Sequence, residues 1–196
     1  KQINDETMHM LELAYENVNQ AFGQLLQFSD KVDEQIYKRE DTVNYLDKVI
    51  SEYISTALAT PNLNVNISQA LSSYYLMLVD IERISDYAVN MNHQATKRLQ
   101  GDMTISEIEI VEHMKKLCVD MKNDLSDVEE AERKDDVIDS LVSSWREAQI
   151  QALKQQKCSS EVSMMLSRIF TDFERINDHA LNVSQELDKI TFEIPD

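Results

Sequence analysis

Apolar residues recur along this chain at intervals of three and four, the spacing of a helix with one face turned inward, with little of the alternation a strand needs. In a first helical stretch, about Asp5 to Phe28, the positions Leu11, Ala14, Val18, Phe22, Leu25 and Leu26 hold that spacing. A break at Ser29-Asp30 leads to a second helix, roughly Val32 to Ala59, with a stripe of Val43, Leu46, Ile50, Tyr53 and Ala57. The segment TPNLNVN, Thr60 to Asn66, carries Pro61 and three asparagines and reads as a loop; a third helix follows from about Ile67 to Leu99. Gly101 marks the next boundary. Thr104 with Glu107 has capping-box spacing and opens a fourth helix, and Ser126 with Glu129 repeats the spacing and opens a fifth, through Trp145 to about Gln155. The residues KCSS, Lys157 to Ser160, separate it from a sixth helix ending near Ile190, before Pro195.

Two stretches in this series are nearly the same. DIERISDYAVN, from Asp80, and DFERINDHALN, from Asp172, agree at seven of eleven positions at an offset of 92. The same ungapped offset brings Glu40 onto Glu132, Asp47 onto Asp139 and Tyr53 onto Trp145, and two copies cover 184 of the 196 residues. Each copy therefore holds three helices, and three antiparallel helices enclose a core that one cannot. The expectation is an all-α fold of two tandem three-helix bundles, residues 1–100 and 101–196, packed as one compact unit. A single six-helix bundle is the less economical alternative.

Composition agrees, because two glycines and two prolines are too few for a fold with many turns. The formal charge of −17, from 36 acids against 19 bases, excludes nucleic acid and anionic lipid as partners and leaves solubility, cations or a basic protein. No stretch is apolar enough for membrane insertion, and no signal peptide is evident. Cys118 and Cys158 make neither a disulfide framework nor a zinc module. A start at Lys1 rather than Met suggests a piece of a longer protein or a trimmed one.

On a helical wheel the repeated stretch puts Phe173, Ile176 and Ala180 inward and Glu174 and Asp178 outward, with Asp172 at the border. The earlier copy does the same with Ile81, Ile84 and Ala88 against Glu82 and Asp86. Acids four apart repel on a helix, and a multivalent cation would give that repulsion a use. The fifth helix offers Glu132 and Asp136 beside its stripe of Val137, Ile138, Leu141, Trp145 and Ala148, with Asp139 on the same outer side. Glu132, Asp136, Glu174 and Asp178 would then line one groove. The first copy has Glu40, Asn44, Glu82 and Asp86, a site expected to be weaker because Asn44 carries no charge. The plain alternative is a solvated acidic face with local ion pairs such as Arg83 to Asp86, or Asp80 to Arg83 and Asp172 to Arg175. His179 is matched by Tyr87 and is better read as packing or hydrogen bonding than as a ligand. No phosphate loop, zinc spacing or catalytic Cys–His pattern is present, and acids on convex faces predict no enclosed pocket, so an enzyme is not expected.

The doubled ERIxDxAxN segment resembles the signature of the PhoU family over essentially the whole chain. CSSEVSMMLSRIFTDFERINDHALNV, Cys158 to Val183, and VNYLDKVISEYI, Val43 to Ile54, are most similar to the PhoU-like cytoplasmic domain at the C-terminus of bacterial sodium/phosphate cotransporters. The resemblance implies a regulatory domain of inorganic phosphate transport, cytoplasmic and tethered to the inner face of the membrane through an upstream transport domain. Its implied partner is that membrane transport domain or a phosphate-signalling protein, with homo-oligomers a further option. A stand-alone PhoU-type regulator and a purely structural helical interaction module are the alternatives. The family's ExxxD motifs, associated with iron, zinc or related metals, fall on Glu82 and Asp86, Glu132 and Asp136, and Glu174 and Asp178, with Glu40 and Asn44 departing from the motif. Ser85 and Asn177 replace a common glycine, and Tyr87 a common histidine.

Overall fold

The structure, a computed structural model, describes residues 2–95 and 101–193. Its helices are α1 (Gln2–Leu26), α2 (Asp30–Leu58), α3 (Val65–Gln94), α4 (Ile105–Asn123), α5 (Val128–Lys154) and α6 (Ser160–Glu193), with no strand among the described residues. The expected end of the third helix at Leu99 and the Pro195 stop lie outside those residues.

Side-chain caps fix where the helices begin. Asn64 accepts from the amides of Asn66 (2.8 Å) and Ile67 (3.4 Å), so α3 starts at Val65, inside the segment that the asparagines mark as loop. Thr104 closes the expected capping box with Glu107: its amide donates to Glu107 Oε2 at 2.8 Å, and its Oγ1 accepts from the Glu107 amide at 3.3 Å. The cap of α5 is Asp127 rather than Ser126, accepting from the Glu130 amide at 3.1 Å. At its other end α5 stops through Gln156, in the left-handed region at φ 55°, while the Lys157 amide donates to the Ala152 carbonyl at 2.9 Å. That is the Schellman arrangement, usually built on glycine.

Helices α3 and α6 share the most extensive contact and run antiparallel, since Arg168 reaches Gln94 and Asn182 reaches Asp80. Helices α1 and α2 pack on α3, and α5 packs on α6; α4 lies against α1 as well as α5 and α6. One cluster of buried apolar residues runs through both halves. Phe173, fully buried, meets Phe22 edge-on at 6.3 Å and Trp145 at 6.2 Å, joining residues of the first copy to those of the second. Truncating such a ring in a packed core costs about 3–5 kcal/mol.

The outer helices do not follow the register of the ungapped repeat. α2 buries Ile36, Glu40, Val43, Ile50 and Ile54, and leaves Tyr53 61% exposed. α5 buries Ala131, Ile138, Val142 and Gln149, and leaves Val137 52% exposed. These patterns coincide at an offset of 95, which pairs Ile36 with Ala131, Glu40 with Asp135, Val43 with Ile138 and Ile54 with Gln149. The cause is at the start of α6: seventeen positions separate Val65 from Glu82, but fourteen separate Ser160 from Glu174. A three-residue deficit turns a helix face by about 60°, enough to expose Val137 and draw Asp135 inward.

Candidate functional site

In the first copy, the carboxylate of Glu40 is buried against α3, where its Oε2 accepts from the Ser85 hydroxyl. Ser85 Oγ in turn accepts from Asn17 Nδ2 at 3.1 Å, and Asn17 Oδ1 accepts from Arg39 Nη1 at 2.7 Å. The chain ends on Glu16, which accepts from Arg39 Nη2 at 2.8 Å. Glu40 Oε1 is buried and has no hydrogen-bond partner. Burial pushes the Glu40 carboxyl above its ordinary range; the Ser85 bond opposes this and the nearby Asp86 charge reinforces it. Glu82 is raised first by burial and then by Asp86, with a smaller push from Asp47, itself raised by burial. Glu40, Asp47, Glu82 and Asp86 thus form one patch of mutually repelling acids between α2 and α3.

In the second copy the three-residue shift changes which acids meet. Glu132 and Asp136 are exposed on α5, whereas Asp135 is half-buried and faces Asp178 of α6. Burial pushes the Asp135 carboxyl up to about 6, and the charges of Asp139, Asp178 and Asp136 add to the rise. Asp135 Oδ1 is a second buried oxygen without a hydrogen-bond donor. Glu174 is partly neutralised, because Arg146 of α5 donates to it at 2.7 Å. The acid drawn inward is therefore Asp135, three positions along from Glu132, while Asp139 stays exposed beside it. The N-terminal position of α6 would have been the signal, and only a structure supplies it.

The local ion pairs expected on these faces form in part. Arg83 meets Asp86 at 3.5 Å and Arg175 meets Asp178 at 3.3 Å, both exposed. Asp80, however, binds not Arg83 but His179, whose Nδ1 lies 2.7 Å from its Oδ1. Asp172 sits at the rim of a hollow shared with Asn90, His93 and Arg168. Desolvation there pushes its carboxyl up to about 6.

The donor set on both faces, carboxylate oxygens with two of them buried and unpartnered, fits a hard cation. Yet among the described residues no three His, Cys, Asp or Glu side chains converge, as placed, closely enough to hold a metal ion. Side-chain rotation, or acids from a partner, would have to complete a coordination shell. No helix among the described residues is long and apolar enough to cross a membrane.

A doubled three-helix bundle with acid pairs on convex helix faces defines an all-α class of repeated helical domains. The chain belongs to the PhoU family: the PhoU domain model matches residues 7–95 and 105–187, one match per bundle. It is a regulatory protein and not an enzyme. It is 23% identical over 197 residues to the phosphate-specific transport system accessory protein PhoU homolog 1 of Thermotoga maritima, across 94% of this chain and 84% of that protein. Its fold matches the crystal structure of PhoU from Pseudomonas aeruginosa with a TM-score of 0.86 at 18% identity, over 97% of this chain and 96% of the other. The phosphate transport system regulatory protein PhoU from Streptococcus pneumoniae matches with a TM-score of 0.82 at 20% identity, over 100% and 96% of the two chains.

Proposed function

We propose that this chain regulates inorganic phosphate transport in the cytoplasm as a PhoU-type accessory protein, acting by contact with a transporter or with phosphate-signalling machinery. The observation that carries this reading is the family match to both bundles in turn. The matched relatives are accessory and regulatory PhoU proteins covered over most of their length. Those names support a PhoU-type regulator as the first reading; a regulatory domain attached to a sodium/phosphate cotransporter, with the transport domain as its partner, is the second. Phosphate uptake measured in cells that carry or lack the chain, at high and low external phosphate, tests the reading. Uptake that loses its dependence on external phosphate supports it, and identical uptake in both strains overturns it.

The acid faces are read here as metal-binding, with iron or zinc as candidates and carboxylates as ligands. Glu40, Glu82 and Asp86 would serve the first face and Asp135, Asp139, Glu174 and Asp178 the second, with Glu132 and Asp136 at its outer edge. A bound cation would offset the burial that chiefly raises Asp135 and Glu82 and relieve the repulsion that adds to it. It would thereby hold α5 against α6 and α2 against α3, making the bundle faces a firmer surface for a partner. The two orphaned oxygens, Glu40 Oε1 and Asp135 Oδ1, support this reading.

A further inference from the structure

The outer face of α2 carries an apolar ridge that no described residue covers. Tyr45, Val49 and Tyr53 follow one another at one-turn intervals and are 65%, 43% and 61% exposed. Beside Val49 and Tyr53 a notch of about 110 Å³ opens between α2 and the start of α1, lined by Ile3, Glu6 and Ile50. That is room for one aliphatic side chain. A row of two tyrosines and a valine on a helix otherwise rich in charge is not explained by packing, because the core face of α2 lies elsewhere.

The charges around the ridge select its occupant. Glu6, Asp41 and Glu52 border it, all exposed and without an ion pair to any described residue. Of the cations on the same side of α2, Lys48 lies beside the ridge, and Lys38, two turns before Tyr45, is engaged by Glu34 at 4.0 Å. The chain as a whole carries −17. An anionic lipid surface or a nucleic acid would be repelled, and a second copy of this chain brings the same excess of acid. A cationic segment gains from both the local acids and the whole field, and its ammonium or guanidinium groups can lie over the exposed tyrosine rings. We propose that the α2 ridge docks a basic amphipathic helix of a protein partner, its apolar side seated on Tyr45, Val49 and Tyr53 with one residue in the notch. This surface shares no residue with the acid faces between α2 and α3 or between α5 and α6. It stands whether or not the partner belongs to phosphate transport, so its failure and that of the functional reading are separable.

The test uses the whole chain and two fluorescent peptides followed by anisotropy. One is a lysine-rich amphipathic helix with leucines on one face; its twin has glutamate at every lysine. The cationic peptide should bind with one-to-one saturation at physiological ionic strength, and the acidic twin should not. The exposed double substitution Tyr45→Ser, Tyr53→Ser should weaken binding at least about tenfold, with an unchanged helical circular-dichroism spectrum and melting profile. Met164→Ser, in the separate apolar groove that Ile150, Leu153 and Met164 line between α5 and α6, should leave it unchanged. Equal binding by wild type and double variant would show only diffuse attraction to an acidic surface and overturn the proposal. Loss of binding in the Met164 variant, or no binding of the cationic peptide at all, would overturn it as well.

Discussion

Tyr87 and His179 stack face to face where the two bundles meet, ring centroids 5.8 Å apart and planes inclined by 25°. They are the same position in the two repeats, so the antiparallel pair α3 and α6 crosses on its own internal symmetry point. The symmetry is broken by chemistry. His179 reaches Asp80 at 2.7 Å and Asn182 adds a second donor at 3.0 Å, whereas Asp172, the counterpart of Asp80, forms no such bond with any described residue. His179→Ala should remove both the stack and the Asp80 bond and lower the unfolding free energy by roughly 1–2 kcal/mol, the range for one hydrogen bond plus an aromatic contact at a part-exposed site. Urea denaturation followed by circular dichroism measures it, and a change within error would mean that the junction is held by its apolar contacts alone.

Ser85 and Glu40 give a prediction with two opposite signs. Ser85→Ala removes the hydroxyl that donates to Glu40 Oε2, leaving that buried oxygen without its hydrogen bond, and should destabilise by about 1–3 kcal/mol. Glu40→Gln removes the charge but keeps an oxygen for the Ser85 hydroxyl, relieving both burial and Asp86, and should be neutral or stabilising. Chemical denaturation of the two variants at neutral pH distinguishes them. Destabilisation by both would mean that the ionised form of Glu40 is itself required.

How much of this was legible beforehand differs between the inner and outer helices. Phe173, Ile176 and Ala180, like Ile81, Ile84 and Ala88, are fully buried as their spacing implies, because α3 and α6 are surrounded and their apolar stripes are broad. α2 and α5 sit at the edges with narrow stripes, where a polar residue can face inward and an apolar one outward. Glu40 and Gln149 are inside, and Tyr53 and Val137 are outside. An ungapped repeat anchored on the ERI motif carries α6 correctly but cannot see three residues missing upstream of it. That is why the α5 acid that lies half-buried beside Asp178 is Asp135, three positions from Glu132. The pairing of Asp80 with His179 was hidden for another reason: it joins residues 99 positions apart across a junction that no local pattern describes.

Asp172 should make stability fall as pH rises. Its folded-state carboxyl titrates at about 6 against an ordinary value of 3.8, so the folded chain holds that proton more tightly than the unfolded one. Below pH of about 4 both states are protonated and nothing is lost; through the window from about 4 to 6 ionisation costs the folded state more, and the penalty persists at neutral pH. Asp172→Asn should therefore be more stable than wild type at neutral pH by about 1 kcal/mol, after discounting the shift for the solvent screening of a half-exposed group. The advantage should vanish at pH 4. Paired thermal melts at the two pH values check this, and an advantage that is the same at both would assign the effect to something other than this carboxyl.

Gln156 should accept glycine with a gain. A side chain at φ 55° pays the left-handed penalty that glycine avoids, and the Lys157 to Ala152 bond that ends α5 keeps its geometry in either case. The larger backbone freedom of glycine in the unfolded chain offsets part of this. Gln156→Gly should raise the melting temperature by about 2–4 °C, the shift that about 1 kcal/mol produces in a chain of this size. Gln155→Gly, one position earlier at φ −87°, should lower it.

The shifted register of α5 makes the metal reading testable at single residues. If a cation sits between α5 and α6, its ligands come from the acids that face each other there, Asp135 and Asp178 foremost. Elemental analysis of chain purified without chelator, in air and anaerobically, should then find metal. Asp135→Asn or Asp178→Asn should reduce it by at least half, whereas Glu132→Gln, on the exposed side of α5, should leave it nearly intact. Because a ligand that binds only the folded chain stabilises it in proportion to the logarithm of its excess over Kd, chelation should also lower the melting temperature of wild type and leave Asp178→Asn unmoved. Metal lost equally from the Glu132 variant would restore the offset of 92 as the working register. No metal in either preparation, with chelator-insensitive melting, would leave the acid faces as solvated surface held by Arg146, Arg175 and Arg83.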